Sequence, residues 1–254
     1  MFYIKLAEHL FRINNLYSEV QTLCKDYEVE LQSEEQQNIM IEILQTDIAY
    51  ERKKSEAKHV KEGMPIPPYI DGYLETLAVY RKIAEQMIDY DTLLFHGSVI
   101  AVDGVGYLFT AKSGTGKSTH TKLWRQHFAD RAVMVNDDKP LLHIAEDGIK
   151  VYGTPWDGKH RLSNNITVPL KAVCILNRDK TNHIEKVSGK DVYPLLLQQT
   201  YRSKDPVRMI HTLKLLDRLI QNTSIYSLGC NMEPEAAIVS YEGMQETKQG
   251  GNRK

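Results

Sequence analysis

The chain has 254 residues, 42% of them apolar and 26% charged, with a formal net charge of −1. That length allows one large domain or a domain with a smaller appendage, and the near-zero charge excludes whole-chain attraction to nucleic acid or an anionic membrane surface. No apolar run approaches the ~18 residues of a membrane span, and Cys24, Cys174 and Cys230 are odd in number, without C-x-x-C spacing. Reduced thiols and a cytoplasmic setting follow as the expectation.

In chain order, FYIKLAEHLFRINNLY (2–17) reads as a strand pair turning at Asn14-Asn15, and its charged positions are unlike those of a signal peptide. SEVQTLCKDYEVEL (18–31) has helical spacing at Val20, Leu23 and Cys24, and IMIEILQTDIAYERK (39–53) alternates like a strand. Together they suggest a small α+β appendage over 1–62. The polar stretch ERKKSEAKHVKEGMPIPPY (51–69), with one glycine and three prolines, reads as a loop or linker. Beyond it, 63–245 reads as one catalytic α/β domain with a mixed sheet, its last third helical. It opens on an amphipathic helix in YIDGYLETLAVYRKIAEQMIDY (69–90).

Two hairpins follow, SVIAV and GYLFT closed by Asp103-Gly104, and LLHIA and IKVYG closed by Glu146-Asp147-Gly148. AVMVN (132–136) reads as a buried strand, and KAVCILNR with HIEKVS as an adjacent pair. GKDVYPLLLQQTY and PVRMIHTLKLLDRLIQN read as helices, SIYSLG as a short strand, and a last helix begins near Glu233. The tail ETKQGGNRK (246–254) reads as disordered.

The stretch AKSGTGKST (111–119) joins GYLFT to a helix. Glycines let successive N–H groups turn inward on phosphates, a lysine adds positive charge, and the next hydroxyl ligates magnesium. Ser113, Gly114, Thr115, Gly116, Lys117, Ser118 and Thr119 are therefore candidate ATP-binding residues, and the helix dipole adds to the attraction. Ala111 occupies the position of the usual first glycine, where a small residue suffices if φ stays negative. Asn136-Asp137-Asp138, at the end of AVMVN, places two carboxylates where one holds Mg2+ and the other serves the nucleophile. GTPWDGKHRLSNN (153–165) brings Trp156, Lys159, His160 and Arg161 into one glycine-bounded loop. Arg161 is a candidate bidentate phosphate ligand and Lys159 a point charge. The bland alternative for this loop is a surface turn with solvated cations. His120 reads as a local packing residue.

A tight antiparallel hairpin entering the phosphate loop is unlike the common parallel-sheet arrangement. With HGSVIAVDGVGYLFT, AKSGTGKST and NDD over about 93–138, the chain resembles the HPr kinase/phosphorylase and phosphoenolpyruvate carboxykinase superfamily, above all its small bacterial HPr kinase-like serine kinases. The resemblance implies an ATP- and Mg2+-dependent kinase acting on a serine hydroxyl in a peptide, protein or small molecule. It implies an active-site histidine at His96, phosphate contacts from Lys117, a base at Asp137 and metal ligands at Ser118 and Asp138. It also allows assembly into a homo-oligomer. Two rival readings are a nucleotide-binding regulatory module without turnover and carboxykinase-type chemistry.

Overall fold

The computed structural model describes residues 1–31, 38–112, 114–158 and 160–245. Ser113, Lys159 and the tail 246–254 lie outside the described residues. The chain forms two compact units, Met1–Met87 and Ile88–Lys254.

In the first unit, β1 (Phe2–Leu6) and β2 (His9–Asn14) form an antiparallel hairpin, and β3 (Ile39–Glu42) adds parallel to β2. The hairpin turns at Ala7-Glu8, both with positive φ (45° and 68°), and not at Asn14-Asn15. The turn follows the alternation of buried side chains. Phe2, Ile4 and Leu6 of β1 and Phe11 and Ile13 of β2 are all buried, and pairing Leu6 with His9 leaves two residues to close the loop.

Helices α1 (Glu19–Cys24), α2 (Gln45–Glu62) and α3 (Asp71–Met87) complete the unit. The strand expected over 39–53 ends at Glu42, and most of the stretch expected as linker is helical. The run from Glu51 to Glu62 has no glycine or proline and is rich in Glu and Lys, both strong helix formers. Gly63, at φ 65°, ends α2 by donating to the His59 and Val60 carbonyls. At the other end Asp47 accepts the Leu44 N–H at 3.1 Å and pairs with Arg81 (3.0 Å) and Lys82 (2.7 Å) of α3. The helix expected to open the catalytic domain thus belongs to the first unit.

The second unit is a mixed α/β fold. Its strands β4 (Thr92–Leu94), β5 (Ser98–Val102), β6 (Val105–Thr110), β7 (Ala132–Asn136), β8 (Leu141–Ile144), β9 (Ile149–Tyr152) and β10 (Thr167–Arg178) run in the order β4-β8-β9-β10-β6-β5-β7. The β5–β6 turn holds Asp103 at φ 52° and Gly104 at φ 78°, as an Asp-Gly hairpin requires. β6 pairs antiparallel with β5 and parallel with β10.

β11 (His183–Lys186) is not the neighbour of β10. β12 (Ser224–Cys230) lies between them, parallel to β10 and antiparallel to β11. The predicted helices appear as α4 (Lys117–Phe128), α5 (Gly189–Gln199), α6 (Pro206–Asn222) and α7 (Glu235–Gln245). Side chains alternate across the sheet into two cores. Val99, Ala101 and Leu108 join Leu215, Leu216 and Leu219 of α6, whereas Ile100, Val102, Tyr107 and Phe109 join Trp124 of α4 and Ala236 and Ala237 of α7.

Candidate active site

β6 runs straight into the glycine loop, and α4 begins at Lys117. Gly114 (φ 78°) and Gly116 (φ 122°) take backbone conformations that side chains rarely adopt, so the sequence G-T-G is required by the curl itself. Ala111 is fully buried in the core with Phe109 and Trp124, and its φ is not positive. A methyl group is therefore accommodated where the usual pattern has glycine. No side chain caps α4 at Gly116, so the first-turn N–H groups remain open to an anion. On the outer side Arg178, at the end of β10, donates to the Gly114 carbonyl (2.6 Å) and the Thr115 carbonyl (3.3 Å). The Thr115 N–H is spent on the Lys112 carbonyl at 3.2 Å, so the open donors are those of the first turn of α4.

His96 sits in the link between β4 and β5, and that link is stitched at every residue. Phe95 N–H donates to Pro140 O (3.1 Å), His96 N–H to Gln199 O (2.7 Å) and Gly97 N–H to Asp138 O (3.1 Å). Gly97 leaves no room for a side chain, since a Cβ there would lie 2.7 Å from Leu108 Cδ1. The His96 Nδ1 meets Gln199 Oε1 at 2.7 Å, and an amide oxygen only accepts, so Nδ1 carries a proton. Nε2 then faces Lys117 Nζ at 3.4 Å and Asp138 Oδ1 at 3.2 Å.

The two carboxylates differ sharply. Asp137 is 4% exposed; Ser98 Oγ donates to its Oδ1 at 3.0 Å and Ser118 Oγ to its Oδ2 at 3.3 Å. Burial pushes its carboxyl above the usual range, and the Asp138 charge adds to the effect, against the pull of the two hydroxyl donors. Among the described residues no cation pairs with it. For Asp138 burial also acts upward, but the His96 hydrogen bond and the Lys139 ammonium 3.4 Å away hold it below the ordinary value. Burial lowers the Lys117 ammonium, while both aspartates favour its charged form. Asn136 fixes the turn that presents the pair. Its Oδ1 accepts the N–H groups of Asp138 (2.8 Å) and Lys139 (2.5 Å), and its amide donates to Thr154.

The structure therefore brings His96, Lys117, Ser118, Asp137 and Asp138 together at the loop, with Gly114, Thr115, Gly116 and Thr119 beside them. The resemblance implied Ser118 and Asp138 as metal ligands, with His96 as active-site histidine and Asp137 as base. The geometry pairs Ser118 with Asp137 and His96 with Asp138. In the loop 153–165, Gly158 and Ser163 approach: a Cβ at Gly158 would sit 2.7 Å from Asp137 Oδ2, and Ser163 Oγ accepts the Asp137 N–H at 3.3 Å. Arg161, with its side chain 66% exposed, donates to Asp157 at 3.1 Å and not to the aspartates. Trp156 is buried. Ser98, Gln199 and Arg178 were missed. Each acts on a residue at least 39 positions away, and only the adjacency of Ser98 to His96-Gly97 was a usable signal.

No family model matches the chain, and no curated protein matches it. Among solved structures, the HPr(Ser) kinase/phosphatase from Coxiella burnetii is similar over 59% of this chain and 94% of its own, at 8% identity and a TM-score of 0.33.

The residues fit a nucleotide and a divalent cation. The uncapped helix start and the curled loop suit phosphate oxygens, and the buried Asp137, without a salt bridge among the described residues and beside a hydroxyl, suits a hard cation. Among the described residues no group of three or more His, Cys, Asp or Glu forms a metal cage. An ion here would complete its shell from phosphate and water, as Mg2+ commonly does. No helix among the described residues is long and apolar enough to cross a membrane.

Proposed function

We propose that this chain is an ATP-dependent phosphotransferase that moves the γ-phosphoryl group to an alcohol, with a serine hydroxyl of a peptide, protein or small molecule as acceptor. The observation that carries the reading is the convergence of Lys117, the Ser118–Asp137 pair and the His96–Asp138 pair on the mouth of an uncapped glycine loop. Loop N–H groups and Lys117 hold the phosphates and neutralise charge that spreads over the transferred group. Ser118 and Asp137 hold Mg2+, which supplies further charge neutralisation when bound.

Asp138 accepts the hydroxyl proton. Its side chain is 33% exposed, so an acceptor can reach it, whereas Asp137 is 4% exposed and its two oxygens are taken by Ser98 and Ser118. This supports exchanging the roles first expected for the two carboxylates. A weak base suffices, because phosphoryl transfer depends mainly on positioning and charge stabilisation. His96 orients Asp138, and Gln199 orients His96.

The test is incubation with γ-labelled ATP, Mg2+ and a panel of free serine, serine peptides and HPr. Transfer of label to one of these is expected, with Lys117→Ala lowering it at least ~100-fold. Asp138→Asn should retain ATP binding and lose transfer, while Asp137→Asn should raise the Mg2+ requirement. Bound but unchanged nucleotide with every acceptor would favour a regulatory module instead. Normal transfer by Asp138→Asn would place the base elsewhere.

A further inference from the structure

A cleft of about 470 Å³ opens beside the loop, its lining including Thr115, Thr119, His120, Leu176, Arg178, Cys230 and Met232. Its volume lies within the range of about 300–1,000 Å³ typical of small-molecule pockets. None of His96, Asp137 or Asp138 lines it, so it is not where a hydroxyl acceptor meets the carboxylates. It begins instead at the loop and the first turn of α4, where the phosphate chain of a nucleotide would end and its sugar begin.

We propose that this cleft seats the nucleobase, a flat aromatic ring held between Leu176, Cys230 and Met232 with one edge on His120. The inference rests on the nucleotide reading of the loop and extends it to residues that have no part in phosphate binding.

Three features support it. Leu176, two residues before the end of β10, and Cys230, at the end of the neighbouring β12, give an apolar wall, and Met232 just beyond is 77% exposed. A large thioether standing in water beside a cleft is suited to cover a ring. Arg178 is held by two loop carbonyls, so the plane of its guanidinium is fixed and available for stacking on a base.

His120 is the third feature. It is 3% exposed and lies edge-on to Phe109. The Trp124 indole N–H donates toward its Nε2 at 3.1 Å and toward Ser240 Oγ at 2.9 Å, while the Ser240 hydroxyl donates to Ala237 O. The ring proton therefore resides on Nδ1, and Nδ1 is buried without a partner. A buried donor left unpaired is costly, and a small shift of the ring toward the cleft would let an acceptor nitrogen on a heterocyclic base satisfy it. Burial also keeps this ring neutral, with its pKa lowered to about 4.

Cys230 makes the test possible in the unaltered chain, because Cys24 and Cys174 are completely buried and Cys230 is partly exposed. Alkylation of Cys230 by iodoacetamide is followed by mass spectrometry with no addition, with saturating ATP and with saturating inorganic tripolyphosphate. Binding of each is measured separately by calorimetry. ATP is expected to slow alkylation at least tenfold, and tripolyphosphate less than twofold. A Cys230→Tyr variant, which fills the cleft, is expected to bind ATP at least tenfold more weakly and tripolyphosphate as before. Bound ATP that leaves Cys230 as reactive as in the free protein overturns the base site, as does equal protection by tripolyphosphate. Failure of the unaltered chain to bind either compound overturns the phosphate loop, and the base site with it.

Discussion

At the scale of single residues, position 111 shows how local packing decides a motif. The pattern asks for glycine, but the backbone there does not need positive φ, and the methyl group of Ala111 is fully buried in the core beside α4. Restoring the usual pattern with Ala111→Gly removes a buried methyl and adds freedom to the unfolded chain. A loss of about 1 kcal/mol is expected, read as a lower midpoint in urea, with no gain in ATP affinity. The glycines at 114 and 116 were legible because their conformations demand that residue type. The division of labour between Asp137 and Asp138 was not legible. Adjacent carboxylates look alike in a sequence, and their difference comes from Ser98 and Ser118 on one side and His96 with Lys139 on the other.

Among elements, α2 best separates composition from structure. Charges and the nearby prolines suggested a linker, whereas helix propensity through Glu62 and the left-handed Gly63 gave a capped helix. Asp47 secures its start, and its carboxyl titrates below the usual value. Burial opposes that shift, but the Lys82, Leu44 and Arg81 donors outweigh it. A folded-state pKa below the unfolded one contributes stability above about pH 4, and the contribution is lost as pH falls through the folded value. Asp47→Asn is therefore expected to cost about 1 kcal/mol at pH 7. In urea titrations across pH, its deficit against the unaltered chain should shrink below about pH 4; a deficit independent of pH would show that charge is not involved. The insertion of β12 between β10 and β11 was likewise hidden, because the strand filling that place arrives after two intervening helices.

Over the whole molecule, a mixed sheet was expected from short apolar runs and turn signals, and its strand order was not. Runs such as SVIAV, buried throughout, and AVMVN, whose Val133 is exposed, do not name their neighbours. Composition does fix one bulk property. With a net charge of −1 and an isoelectric point near 6.8, self-repulsion is weakest close to neutrality. Solubility is expected to pass through a minimum near pH 6.8 and to rise on either side, as turbidity at fixed concentration would record. The β5–β6 hairpin has a wider effect. Its two-residue turn brings the link carrying His96 next to the loop carrying Lys117, and β7 returns along β5 to deliver the aspartates. The contacts that join most of the candidate chemistry thus span 19 to 42 positions, from Ser118–Asp137 to His96–Asp138, closures that cost less chain entropy than wider ones. Gln199 is the exception, reaching His96 from 103 positions away. During folding, the phosphate cradle and its carboxylates would assemble early, and the histidine would be locked in its working orientation only when the C-terminal helices dock.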